Sequence, residues 1–312
     1  KMALYQYKFM DKIPYFALCH QTIEIAKKQK LKNIPFLNAL LRKFEKIDFS
    51  LPDDNSIESL SVYYSYPIFF VEKLIQEVSL GKTKALLNRM NKVFPSYARD
   101  RASGDYFVLE DKMKMDQIKD DPNFSIQNPT FSQIMQQLKK TTKMPSNILD
   151  LCAAPGGKLL YVHDLYPKAE LYANDLKEKL LKENCKKYSL TVKLFSEDAA
   201  TFSSEELFDL IILDVPCSNS GVLGKRVEAR YRITEEKLEE LADLQIKMLK
   251  NAKKLLSKGG IVWYITCSIL QEENEKIIDQ VKKLGYQING KNITIYPDDE
   301  GLDGGFGACL TV

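Results

Sequence analysis

Cys217, in Asp214-Val215-Pro216-Cys217-Ser218, and Cys267, in Thr266-Cys267-Ser268, each follow an apolar run that reads as a buried strand (residues 210–213 and 261–265). A thiolate is a strong nucleophile, so two thiols at two strand ends are candidates for covalent catalysis. The bland alternative is a small buried hydrophobe, the usual fate of a free cysteine. That alternative suits Cys152, Cys185 and Cys309. It suits Cys217 and Cys267 poorly, because each arrives with polar neighbours and a strand behind it.

Upstream, Asp150-Leu151-Cys152-Ala153-Ala154-Pro155-Gly156-Gly157-Lys158 runs from a strand end through two glycines into a helix over residues 159–165. Glycines let backbone approach a ligand closely, and a helix start offers free N–H groups. The spacing is neither that of a phosphate loop nor Gly-x-Gly-x-x-Gly. Asp175, after the next strand, can accept from ribose hydroxyls, and Asp198, after the third, from an adenine amino group. Each aspartate taken singly is as well read as a helix cap. Loop and thiols together point to a thiol that attacks a pyrimidine while a second ligand supplies a methyl group.

The elements that must position these residues follow from periodicity. Candidate strands at 148–151, 170–173, 192–195, 209–213 and 260–266 alternate with helices, notably over 178–188 and 234–256. Such alternation argues an α/β fold with a mostly parallel sheet covered on both faces, which binds ligands at the carboxyl ends of its strands. Trp263 and Tyr264 then belong to the core of the fifth strand. Before this part the pattern is helical. Leu37, Leu40, Leu41 and Phe44 are spaced for one buried helix face. Residues 48–56 read as a turn-rich linker. Pro67 opens a further helix with Phe70, Val71, Leu74, Ile75 and Val78 as its stripe, and Gly81 is expected to end it. Residues 92–124 read as a small α+β connector.

Composition narrows the field. At 312 residues the chain has room for two or three domains, and 45% hydrophobic with 28% charged residues is ordinary for a globular protein. No apolar run approaches a membrane span, and residues 1–12 lack a signal-peptide core, so a cytoplasmic protein is expected. Six scattered cysteines fit reduced thiols, and two histidines without a Cys-x-x-Cys pair argue against a metal site or a histidine triad. Residues 1–50 carry ten Lys/Arg against four Asp/Glu. That excess suits a polyanion, although on charge alone a solvated lysine-rich surface is the favoured reading.

DLCAAPGGK, Asn174-Asp175, Glu197-Asp198, LDVPCSNSGVL and YITCSILQEEN resemble the successive motifs of the RsmB/Fmu (Sun) family, related to the NSUN enzymes. Asp303-Gly304-Gly305-Phe306 resembles that family's terminal Asp-Gly-Phe-Phe, and residues 4–45 resemble the second half of its NusB-like RNA-binding domain. The resemblance implies a Rossmann-like, S-adenosyl-L-methionine-dependent 16S rRNA cytosine-C5 methyltransferase, monomeric, with ribosomal RNA as partner. It implies a partial NusB-like domain at 1–50, a connector at 51–124 and the methyltransferase domain at 125–312. The donor site would be Cys152, Ala153, Ala154, Pro155, Gly156, Gly157, Lys158, Asp175, Asp198 and Asp214. Chemistry alone leaves both cysteines open as nucleophile, and in DNA cytosine methyltransferases it is the Pro-Cys one. The resemblance implies Cys267 as nucleophile, Cys217 in release of the product, Asp214 on the cytosine N3/N4 edge, and Lys158 polarising the site. It fails at residues 224–231, GKRVEARY, where the family commonly reads Arg-Arg-His-Pro-Asp-Ile-Lys-Trp, and Gln127-Asn128 stands for its usual Gln-Asp. Rival readings keep the chemistry on tRNA or another rRNA site, or make the chain a non-catalytic assembly factor. Amino-group methylation would instead want Asn/Asp-Pro-Pro-Tyr/Phe where DVPCS stands.

Overall fold

In the computed structural model, which describes residues 2–50 and 55–312, the chain divides into two units, residues 1–54 and 55–312. The expected linker at 48–56 lies partly outside the described residues. The first unit holds helices α1 (Met2–Phe9), α2 (Tyr15–Lys28) and α3 (Ile34–Leu41) around Ala3, Leu18, Leu41 and Phe44. The helix face expected from Leu37 to Phe44 is corrected here. α3 stops at Leu41 and a 3-10 turn carries Phe44 inward, so Leu40 is left 44% exposed. The i, i+3, i+4 rule holds only while the helix continues.

The second unit begins with α4 (Ile57–Tyr64), α5 (Ile68–Val78) and α6 (Leu80–Met90). α5 starts after Pro67 and buries Phe70, Val71 and Leu74, as its stripe requires. It ends at Ser79 and not at Gly81, which falls inside α6. Ser79 sits at φ +85°, an unfavourable conformation for a serine. Its carbonyl accepts from both the N–H and the hydroxyl of Thr83 (2.9 and 2.8 Å), which starts α6 and offsets the strain. Strands β1 (Ser96–Asp100) and β2 (Tyr106–Leu109), helix α7 (Lys112–Ile118) and strand β3 (Phe124–Ile126) then form an antiparallel sheet ordered β2-β1-β3.

The rest is layered: α8 (Pro129–Lys139), β4 (Asn147–Asp150), α9 (Gly157–Leu165), β5 (Glu170–Asn174), α10 (Glu178–Lys187), β6 (Val192–Phe195), β7 (Phe208–Asp214), α11 (Glu235–Leu255), β8 (Leu256–Thr266), α12 (Glu275–Lys282), β9 (Gln287–Ile288), β10 (Ile293–Ile295) and β11 (Gly305–Thr311). The sheet order is β10-β11-β8-β7-β4-β5-β6. β4 to β8 pair in parallel, and β11 runs antiparallel beside β8. Alternation along each strand divides two cores. Leu149, Ile211, Leu213, Val262 and Tyr264 face one side, and Ile148, Leu210, Ile212, Ile261 and Trp263 the other. Both faces are covered, hence the unbroken apolar runs.

The chain passes from β4 to β5 and β6 on one side, then returns to β7 and β8 on the other. β4 is therefore the switch point where an open α/β sheet leaves a crevice. β11 escaped sequence reading because Gly305 and Gly307 dilute its pattern. A Cβ on Gly307 would stand 2.4 Å from Ile134 Cγ2, so glycine is what lets α8 lie on this strand.

Candidate active site

The loop after β4 is held by its neighbours' backbones. Ala153 N–H donates to the Asn174 carbonyl (3.0 Å), and Ala154 N–H to Asp175 Oδ2 (2.9 Å). Asn174 is fully buried; its Nδ2 donates to the carbonyls of Leu151 (3.2 Å) and Glu197 (3.0 Å), joining the ends of β4, β5 and β6. Gly156 takes φ +107° to turn into α9, with Leu181 beneath it.

One cleft outside these ends is lined by Cys152, Ala153, Ala154, Pro155, Gly157, Lys158, Asp214 and Cys267. Gly156 turns the loop without lining the cleft, and Asp175 anchors the loop from behind. Asp198 lies apart, exposed at the end of β6, with Oδ1 accepting from Ala200 N–H (2.9 Å). Cys217 does not line the cleft, yet its sulfur stands 2.8 Å from that of Cys267. Lys158 Nζ pairs with Asp214 Oδ2 at 2.6 Å. Burial pulls Lys158 down, but Asp214, then Cys267 and Asp150, hold its ammonium above the ordinary value.

Residues that sequence reasoning missed hold the two thiol loops together. Glu273 is fully buried and accepts from Ser218 N–H (2.7 Å) and Ser218 hydroxyl (2.5 Å). Burial pushes its carboxyl up, and the two Ser218 donors and Gln245 oppose that. Asn219 Oδ1 accepts from Cys267 Sγ (3.3 Å), while its Nδ2 donates to the Cys217 carbonyl (3.1 Å). The hydrogen bond to Cys267 and burial, then the nearness of Cys267 and Glu273 as ionisable groups, push the Cys217 thiol well up, so it stays protonated. Gly221 N–H donates to the Cys267 carbonyl (2.9 Å), and Gly304 N–H to the Gly221 carbonyl (2.7 Å). A Cβ on Gly221 would stand 2.6 Å from Gly304 backbone. Gly221→Ala should therefore cost about 1–3 kcal/mol of stability and roughly 100-fold in rate, read by thermal melts and methyl incorporation.

The sequence model described as 16S rRNA methyltransferase RsmB/F matches residues 137–311, more than half of the chain.

The chain belongs to this family.

A NusB family model matches residues 1–46. Ribosomal RNA small subunit methyltransferase B of Shewanella oneidensis is 29% identical over 296 residues, covering 85% of this chain and 68% of the relative. A methyltransferase homolog protein from Pyrococcus horikoshii shares the fold, with TM-score 0.69 and 20% identity over 81% of this chain and 98% of that one. NSun6 from Pyrococcus horikoshii with SFG aligns at TM-score 0.53 and 25% identity, over 62% of this chain and 54% of that one. As an RsmB/F member, the protein is an S-adenosylmethionine-dependent rRNA methyltransferase. Among the described residues no helix is long and apolar enough to cross a membrane.

The cleft fits such a donor. Asp150, missed as a site residue although it opens the loop motif, is fully buried, and neither carboxyl oxygen has a hydrogen-bond partner. Burial and the nearby Asp214 charge push it up to about 8. Burial, then the charges of Asp150, Asp214, Asp175 and Asp198, push Cys152 well up. Of these four carboxylates Asp214 is the one that lines the cleft, facing the glycine loop, where it suits the ammonium or ribose hydroxyls of such a donor, while the unpaired Asp150 lies buried behind the loop.

Proposed function

We propose that this RsmB/F enzyme makes 5-methylcytosine in 16S rRNA through a covalent bond between Cys267 and cytosine C6. The observation that carries the reading is the pair of sulfurs 2.8 Å apart, of which Cys267 lines the donor cleft and Cys217 does not. Carbon 5 of cytosine is a poor nucleophile. Addition of the Cys267 thiolate to C6 forms the S–C6 bond and moves the ring's π electrons toward N3 and C5, splitting one hard step into two. The Lys158–Asp214 pair faces the same cleft and offsets charge at N3. The donor, when bound, supplies an electrophilic methyl to C5.

Release needs the C5 proton removed and the S–C6 bond broken. Cys217, kept as a thiol, hands its proton to the departing Cys267 sulfur and takes the C5 proton in its place. Cys267 is left as a thiol, and loss of that proton to solvent, the one proton the net reaction releases, restores the thiolate. The target base must be unstacked to reach the cleft.

Cys152 to Lys158, with Asp175 behind the loop and Asp214 across it, is the donor side. Asp198 belongs to it at the adenine end, as the third in the series of strand-end aspartates. Residues 1–50, 51–124 and 125–312 act as RNA-binding, connecting and catalytic parts. The enzyme works as a monomer in the reducing cytoplasm, where its six scattered cysteines stay thiols. The test is incubation with labelled donor and 16S rRNA, then mapping of the product. Label at cytosine C5 is expected; label on tRNA alone, or on an amino group, overturns the reading.

A further inference from the structure

We propose that Asp303 accepts a hydrogen bond from the 4-amino group of the target base, and that this contact makes the cleft choose cytosine over uracil. The assignment rests on the reading above, that a cytosine enters this cleft. Asp303 lines the cleft together with Lys158, Asp214 and Cys267. It is only 9% exposed, and its Oδ1 is buried without a hydrogen-bond partner. Native structures rarely leave such an acceptor unpaired, and because the residue lines a ligand cleft, a donor on the bound base is the partner assigned to it.

The carboxylate is held in place from several sides. Lys225 Nζ holds Oδ2 at 2.8 Å. The Asp303 N–H donates to Asn128 Oδ1 (3.2 Å), and Thr130 Oγ1 donates to the Asp303 carbonyl (2.8 Å). The next residue, Gly304, donates to Gly221, and Gly221 donates to the carbonyl of Cys267. Two hydrogen bonds therefore fix the segment of Asp303 against the residue that carries the thiol. Burial holds the Asp303 carboxyl above its ordinary value against Lys225 and Arg89, and it is the Lys225 ammonium seated on Oδ2 at 2.8 Å that favours the ionised form. An ionised carboxylate accepts hydrogen bonds and donates none. It matches the amino group of cytosine and repels the O4 carbonyl that uracil presents at that place. Asp214 is less free for this task, because its Oδ2 is held by Lys158. The Lys225 clamp also gives a use to the run GKRVEARY, in which Lys225 is the second residue.

The experiment compares single-turnover methyl incorporation into a 16S rRNA transcript with the same transcript carrying uracil at the mapped position. Wild-type protein is expected to prefer cytosine by roughly 10³-fold or more, as a site built to pair a polar group does. Asp303→Asn offers an amide N–H to O4, so its cytosine rate should fall, its uracil rate should hold or rise, and the preference should shrink about 100-fold. Asp303→Ser, measured in the same way, should also lose preference, and it stands in should the amide variant not fold. If both rates fall together, so that the ratio keeps its wild-type value, Asp303 is structural and the assignment is overturned. A wild-type protein that methylates no cytosine overturns the covalent reading and this assignment together, whereas wild-type discrimination retained by the variants overturns this one alone.

Discussion

Cys217→Ala protein incubated with donor and 16S rRNA should accumulate a protein–RNA adduct that survives denaturing electrophoresis, whereas Cys267→Ser should form none. The two thiols are 2.8 Å apart, so removing Cys217 takes away the proton source and acceptor of the release step and leaves the attacking sulfur in place. Addition proceeds and elimination stalls. Steady-state turnover should fall by about 10²–10⁴-fold, the usual worth of a positioned acid–base group. Cys267→Ser should lower turnover on the order of 10⁴-fold or more, because the nucleophile acts as a unit with its partners. The double variant should form no adduct. Cys217→Ala turning over at the wild-type rate without adduct would remove its release role, and adduct on Cys267→Ser would exchange the two assignments.

Asp150→Asn should give a protein that is more stable without donor and binds donor poorly. Asp150 is raised to about 8 by burial and by Asp214, against an unfolded value near 4. A carboxyl raised in the fold contributes stability below its unfolded pKa and loses it as pH climbs toward the folded value. The native protein therefore weakens between about pH 4 and pH 8, and an amide, which does not titrate, escapes that loss. Relative to wild type, the variant should gain about 1.4 kcal/mol per pH unit, up to about 5 kcal/mol between pH 4 and pH 8, on top of a pH-independent cost for leaving the amide unpaired. A cationic ligand favours the ionised carboxylate, so the substitution should weaken donor binding by about 10–100-fold in calorimetry. Equal melting shifts at both pH values, or unchanged affinity, would assign Asp150 to packing alone.

The parallel strands were legible because a sheet covered on both faces writes unbroken apolar runs, as at residues 210–213 and 261–265. β11 was not, because the closeness of α8 demands glycines where strand formers would have signalled. The end of α5 was misplaced because glycine is the usual stop and here a serine takes the positive φ. In the site, the loop and both thiols could be seen because each sits beside its own strand. The contacts that lock them were invisible. Ser218 meets Glu273, and Asn219 meets Cys267, across some fifty residues of sequence, and no local pattern marks such a meeting. Asp150 stood in plain view in the loop motif, but only the fold reveals that its oxygens are buried and unpaired.

The strand order has a consequence for how the protein is made. β11 lies between β8 and β10, yet it follows β4 to β8, both thiols and the donor loop in sequence. A ribosome therefore extrudes the whole parallel sheet before Asp303, Gly304 and β11 exist. Until then Gly221 lacks Gly304, Thr266 lacks its partner Phe306, and the cleft lacks a wall. Cys267 therefore sits in an unfinished cleft until that late strand docks.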